Sequence, residues 1–203
     1  MAGQNIHVPQ GFTDFLVKRN SQVKKVLLAG IGMVLAGFIQ NASALQGGMS
    51  FGKDYTSLNL GIGADSPGFA LSGGWLRSEH DGKVGNLGLN YGIGGDNWMI
   101  SPGVKVIRSV PKDGEAGYSG SVGGDIRFYP SAKVGLFGSY YWSPEAWSEH
   151  SDGLRQADAG ISFRPVSLLD VTLGYRYAAI EGKNGAKDNV IADGLFVGGD
   201  VHF

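Results

Sequence analysis

The sequence predicts an all-β protein: a transmembrane antiparallel up-and-down β-barrel, best read as ten strands, preceded by a cleaved signal helix. Three observations predict it. Apolar and polar residues alternate with period two along residues 47–203, with almost no helical period. An export signal stands ahead of that stretch. The composition is rich in Gly (35 of 203 residues) and aromatics (11%) and poor in charge (17%). An ordinary soluble domain carries roughly 25% charged residues and about 7% Gly.

Composition also removes several function classes. The Gly residues follow no three-residue repeat, which excludes collagen. No Cys is present, so disulfide scaffolds, thiol catalysis and Cys-ligated zinc are excluded. A net charge of -1 provides no footprint for nucleic acid.

The signal reads as follows. Lys24 and Lys25 precede 14 apolar or Gly residues at 26–39, and Ala42-Ser43-Ala44 supplies the small-x-small end that a signal peptidase accepts. Cleavage is expected after Ala44. A membrane-spanning helix needs about 20 apolar residues, so this run is too short to remain as an anchor. Residues 1–22 fit poorly as part of a signal and are treated as a doubtful extension, with the signal at 23–44 and the barrel at 45–203. That barrel segment carries 13 basic and 17 acidic residues.

Nine strands are readable by alternation. In order they centre on residues 58–62, 69–75, 87–93, 104–106, 118–128, 134–142, 157–163, 171–179 and 195–203. In the last, Leu195, Val197, Gly199, Val201 and Phe203 share one face, opposite Phe196, Gly198, Asp200 and His202. Parity requires a tenth, because a barrel with both ends on one side of the membrane has an even count. Residues 47–52 are the candidate, followed by a tight turn at Lys53, Asp54 and Tyr55. Eight strands are the alternative, if two segments form one strand bent at Ser101-Pro102-Gly103. Short turns at 65–68, 94–97, 130–133 and 165–170 alternate with longer loops at 78–83, 111–116, 145–155 and 182–193. Periplasmic turns and external loops alternate in this way.

Alternation alone does not say which face points outward. Three features favour an apolar exterior in lipid, where only a closed barrel satisfies every backbone group. Lys105, Asp125, Arg127, Asp158, Arg164, Arg176 and Asp200 occupy the polar face, where Gly is also concentrated. Aromatics cluster at strand ends in two girdles: Phe69, Trp98, Phe128, Phe163 and Phe203 at one, Trp75, Tyr118, Trp142 and Tyr177 at the other. Phe203 ends the last strand as an outward aromatic, the kind of signal read by outer-membrane assembly machinery. The seven charged residues are expected to form a lumen network in which Arg127, Arg164 and Arg176 pair with Asp125, Asp158 and Asp200, because unpaired buried charge is costly. His202 is expected to be a wet residue of the periplasmic mouth.

Several segments together resemble the YfaZ family of outer-membrane proteins. They are Leu71-Ser72-Gly73 with Trp75, Pro111-Lys112-Asp113-Gly114 with Gly117-Tyr118, Tyr140-Tyr141 with Ser143-Pro144, and Gly174-Tyr175-Arg176-Tyr177. The most specific run is Lys187-Asp188-Asn189, Ala192-Asp193-Gly194 and the strand to Phe203. The resemblance covers residues 45–203 and not the first 22. It implies an outer-membrane barrel of a Gram-negative envelope and brings no catalytic or binding residues.

No dinucleotide, phosphate-loop or metalloprotease motif is present; residues 182–187 lack phosphate-loop spacing. The strings Ser78-Glu79-His80-Asp81-Gly82 and Ser148-Glu149-His150-Ser151-Asp152-Gly153 suggest a divalent-cation site, or a lipid hydrolase with Ser151 as nucleophile and His150 as base. Adjacent residues in a loop rarely aim at one another, so solvated loops are the expectation. The functional expectation is a monomeric, non-enzymatic outer-membrane barrel without cofactor or metal, with a structural or narrow-channel, porin-like role. Its partners would be outer-membrane lipids, lipopolysaccharide and the assembly machinery. The alternative is an interaction protein that binds lipopolysaccharide or another ligand through its external loops, and a membrane-embedded lipid enzyme ranks below it.

Overall fold

The computed structural model describes residues 45–112, 114–183 and 186–203; the signal and the doubtful extension at 1–44 lie outside them. Ten strands follow in chain order: β1 (Leu45–Gly52), β2 (Tyr55–Ile62), β3 (Gly68–Ser78), β4 (Gly82–Gly95) and β5 (Trp98–Pro111), then β6 (Gly117–Ser131), β7 (Val134–Ser143), β8 (Gly153–Val166), β9 (Leu169–Glu181) and β10 (Asn189–His202). Each pairs antiparallel with its chain neighbours, and β1 pairs with β10 to close the barrel. Phe203 completes the seam, exchanging backbone hydrogen bonds with Leu45 at 2.8 and 3.2 Å.

The apolar face of every strand points outward. Leu87 is 73% exposed, Leu195 68% and Leu60 65%, values that no soluble exterior of this extent would carry. Both girdles stand on this outer face, Phe69 and Phe128 near one end, Trp75 and Trp142 near the other. A membrane-spanning strand needs about 9–11 residues. β4, β5, β6, β8 and β10, at 14 or 15 residues each, reach past that thickness, whereas β1 and β2 have 8.

Turns at 63–67, 96–97, 132–133 and 167–168 share the end that carries Leu45 and Phe203. The connections with the greatest lengths, 144–152 and 182–188, lie at the opposite end, which is the external one. Strands extend further into the external loops than alternation suggested, so β8 begins at Gly153 and β10 at Asn189.

Two expectations are corrected here. Tyr55 is not part of the first turn; it opens β2 with its ring buried inside the barrel and its hydroxyl donating to the Gly194 carbonyl at 3.0 Å. Ser101-Pro102-Gly103 does not bend two segments into one but lies within the continuous β5. Proline has no N–H to give a ladder. Accordingly the β4–β5 pairing lapses between Asn90–Gly103 and Ile93–Ile100 and then resumes in the same register.

Candidate functional site

The barrel interior is the place where residues of chemical interest converge. Its side chains form three layers along the axis.

The external layer is apolar. Tyr55, Leu76, Val84, Ile107, Leu154, Ile180, Ile191 and Phe196 form one buried cluster drawn from β2, β3, β4, β5, β8, β9 and β10. These inward side chains are at most 5% exposed, so they pack over the lumen and plug it rather than line an open pore. Val84 and Ile107 are wholly buried.

The central layer is polar. Arg176 donates to Asp158 through Nε at 2.8 Å and Nη2 at 3.3 Å, and through Nη1 to Ser57 at 2.5 Å and Ser50 at 3.2 Å. Its guanidinium also lies 4.8 Å from the Phe196 ring centre, joining this layer to the one above. On the facing wall, the Tyr141 hydroxyl donates to Asp125 at 2.8 Å and the Asn90 amide donates to the same carboxylate at 2.9 Å. Lys105 places its ammonium 3.3 Å from the Tyr141 ring centre, a cation–π contact rather than an ion pair. A cavity of about 270 Å³ lies below, bordered by Ser72, Lys105, Asp125, Asp158, Arg176 and Asp200. Polar and apolar groups share its walls in about equal parts, and each water takes about 30 Å³, so it accommodates several.

The periplasmic layer is a chain of ion pairs. Arg164 grips Asp170 with a two-pronged contact at 2.6 and 2.7 Å. His202 bridges Asp170 and Asp65, with Nε2 at 3.2 Å from one carboxylate and Nδ1 at 2.9 Å from the other. Arg127 binds Asp65 in turn and donates to the Ala64 carbonyl at 3.1 Å. The turn at 63–67 starts from Gly63, whose φ of 76° is ready only for glycine, and it tucks Asp65 under the mouth.

All seven charged residues expected to face the lumen lie along the inner wall, but the pairing differs from expectation. Arg176 meets Asp158, its direct partner in the β8–β9 register. Arg127 takes Asp65 and Arg164 takes Asp170, neither of which is among the expected partners Asp125, Asp158 and Asp200. Asp125 and Arg127 sit two apart on one strand, so their side chains run parallel rather than converge. Asp65 belongs to a turn, and Asp170, expected in the turn at 165–170, instead lies in β9 on the inner face shared by Thr172, Gly174 and Arg176. Nor is His202 a wet residue: it is 9% exposed and held by two carboxylates. The external plug was also missed, although doublets such as Trp75-Leu76, Val106-Ile107 and Ile191-Ala192 break the alternation where it forms.

Glycine on the inner wall makes room for the side chain beside it, rather than for one across the lumen. A Cβ at Gly123 would fall 2.8 Å from the Tyr141 ring, and one at Gly174 would fall 2.8 Å from the Phe196 ring.

The two loop strings do not assemble a centre. His150 contacts Glu115 at 3.2 Å and the Ala116 carbonyl at 3.2 Å, while the Ser151 hydroxyl is buried without a hydrogen-bond partner. Nucleophile and base therefore do not engage. Ser78 and Asp81 cap their own turn at 3.3 Å, and no group of three metal-binding side chains occurs among the described residues.

Residues 23–203 match the profile of the family described as YfaZ precursor. The chain is also similar to the outer membrane protein YfaZ of Escherichia coli (strain K12), at 35% identity over 182 residues, covering 89% of this chain and all of that protein. This chain belongs to the YfaZ family. Family membership, the apolar exterior and the closed sheet together make it an outer-membrane β-barrel. Among solved structures it is similar to the NanC porin (12% identity, TM-score 0.41, covering 79% of this chain and 99% of that one). It is similar also to OmpT of Vibrio cholerae (11%, 0.42, 73% and 56%) and the channel DcaP of Acinetobacter baumannii (10%, 0.43, 81% and 60%).

Proposed function

We propose that this YfaZ-family protein is a lumen-filled, non-enzymatic barrel with a structural role in the outer membrane. The observation that carries this reading is the obstruction of the axis at two separate levels. The buried apolar cluster fills the lumen at the external end, and an ion would have to shed hydration to pass it, which is costly. At the periplasmic mouth, the chain Arg127–Asp65–His202–Asp170–Arg164 crosses the opening. In a small barrel such charges pair and fill the interior rather than select ions.

The second reading, a narrow channel, has in its favour the central cavity of about 270 Å³, bordered by Lys105, Asp125, Asp158, Arg176 and Asp200. Planar-bilayer recording separates the two. The purified protein, shown to be folded by heat-modifiable gel mobility, is expected to give no discrete openings. Reproducible ion-selective openings would overturn the structural reading and make Lys105, Arg127 and Arg176 the selectivity residues to replace.

A further inference from the structure

Outside the lumen, three cations stand together on the lipid-facing wall at the external end. Arg77 of β3 and Lys83 of β4 are direct cross-strand partners. Arg108 of β5 lies opposite Gly85, and so is diagonal to Lys83 on the same face. All three are exposed. Like charges directly opposite each other on a sheet repel, and a carboxylate between them would ordinarily relieve this.

Here no such carboxylate is provided. Among the described residues, Arg127, Arg155, Arg164 and Arg176 each hold an acid, whereas Arg77, Lys83 and Arg108 form no ion pair. In the turn above them Asp81 accepts from Ser78 at 3.3 Å, and neither Glu79 nor Asp81 forms an ion pair with any of the three cations.

The surface beneath the cations is aromatic. Lys83 lies 5.7 Å from the Trp75 ring centre and Arg108 5.6 Å from that of Tyr118, the rings of the external girdle. Gly85 keeps the wall low between them, since a Cβ there would press on the Trp75 ring at 3.1 Å. Girdle rings mark the headgroup layer. An unneutralised cationic triad at that depth, facing lipid, matches an anion that belongs to the membrane.

We propose that Arg77, Lys83 and Arg108 bind the phosphorylated headgroup of lipopolysaccharide, the glycolipid of the outer leaflet, with Trp75 and Tyr118 packing against its sugars. Phosphate suits this arrangement because one group accepts from several cations at once and removes their mutual repulsion. The site is carried by strands, not by the external loops, and it does not depend on whether the lumen conducts.

The test is native mass spectrometry of the purified protein in detergent, titrated with bisphosphorylated lipid A, with lipid A stripped of phosphate, and with inorganic phosphate as competitor. The unaltered protein is expected to retain phosphorylated lipid A and to bind the stripped form about tenfold more weakly, equivalent to about 1.4 kcal/mol. The variant R77Q/K83Q/R108Q should lose about tenfold or more in lipid A binding, and K83Q alone about threefold. R155Q, whose arginine is already held by Glu181 at 2.6 Å, should bind as the unaltered protein does. Equal binding by the triple variant, or equal binding of stripped lipid A, would overturn the proposal. So would full displacement by inorganic phosphate at matching concentration, which would make the site one for free anion. If the triple variant fails the heat-modifiability check, K83Q decides: a threefold loss supports the site and unchanged binding overturns it.

Discussion

Asp170 and Asp200 face one another across the β9–β10 ladder, and their environments are opposite. Asp170 is held by Arg164 and His202, while Asp200 has no ion pair among the described residues. Replacing each with Asn should therefore move stability in opposite directions. Asp170→Asn strands the Arg164 fork and is expected to cost about 1–2 kcal/mol, discounted for the partial exposure of Arg164. Asp200→Asn relieves a like-charge pair and should stabilise by up to about 1 kcal/mol. Urea titration of heat-modifiable mobility reads both, and two shifts of the same sign would contradict this assignment. Arg176 is the interior residue with the most partners, joining Asp158, Ser50 and Ser57 and stacking on Phe196. Arg176→Leu leaves the partly buried Asp158 without its cation, and a loss of about 3 kcal/mol is expected in the same titration.

At the scale of the strand, alternation sets the faces, and the neighbouring strand sets how much room a side chain has. Gly123 lies directly opposite Tyr141, and a Cβ there would come 2.0 Å from the Tyr140 carbonyl. Gly73 points to lipid, where a Cβ would make only ordinary contacts, 3.5 Å from the Leu87 side chain and 3.8 Å from the Asn86 carbonyl. Gly123→Ala is thus expected to destabilise by about 1–3 kcal/mol, through forced shifts of a packed wall. Gly73→Ala should be neutral or slightly stabilising, because it removes freedom from the unfolded chain. Refolding yield and urea midpoint measured side by side check the contrast. The strand faces were legible from sequence because side-chain period in a strand is two wherever the partner lies. The alternation breaks at Trp75-Leu76 and Val106-Ile107 were equally visible, and they are the sequence trace of the external plug.

At the scale of the barrel, the two closures act in series. Removing the periplasmic chain with Asp65→Ala and His202→Ala opens the central cavity to one side only. Truncating Ile107, Leu154 and Ile191 to Ala opens it to the other. Planar-bilayer current is expected from neither set alone and from both together, provided heat-modifiable mobility shows that each variant is folded. Current from the periplasmic set alone would show that the apolar layer is not a barrier. The external cationic triad lies on the outer wall, so none of these changes should alter lipid A retention.

The sequence by itself determined the fold class, the strand parity, the faces of the strands and the identity of the seven interior charges. These depend on the solvent each side chain meets, and a bilayer outside with polar matter inside imprints that directly on period two. The pairings were decided only in the tertiary structure. Asp65 comes from a turn that folds under the mouth, Asp170 from the first residues of a strand, and the apolar plug from seven strands at once. The Arg164–Asp170 pair needs only the β8–β9 hairpin, whereas the Arg127–Asp65 pair and the plug require barrel closure, which brings residues far apart in the chain into one narrow lumen. Likewise Arg77, Lys83 and Arg108 are separate along the chain, and only the strand register sets them side by side. Sequence carries what each residue needs from its surroundings; closure and register decide which neighbour supplies it.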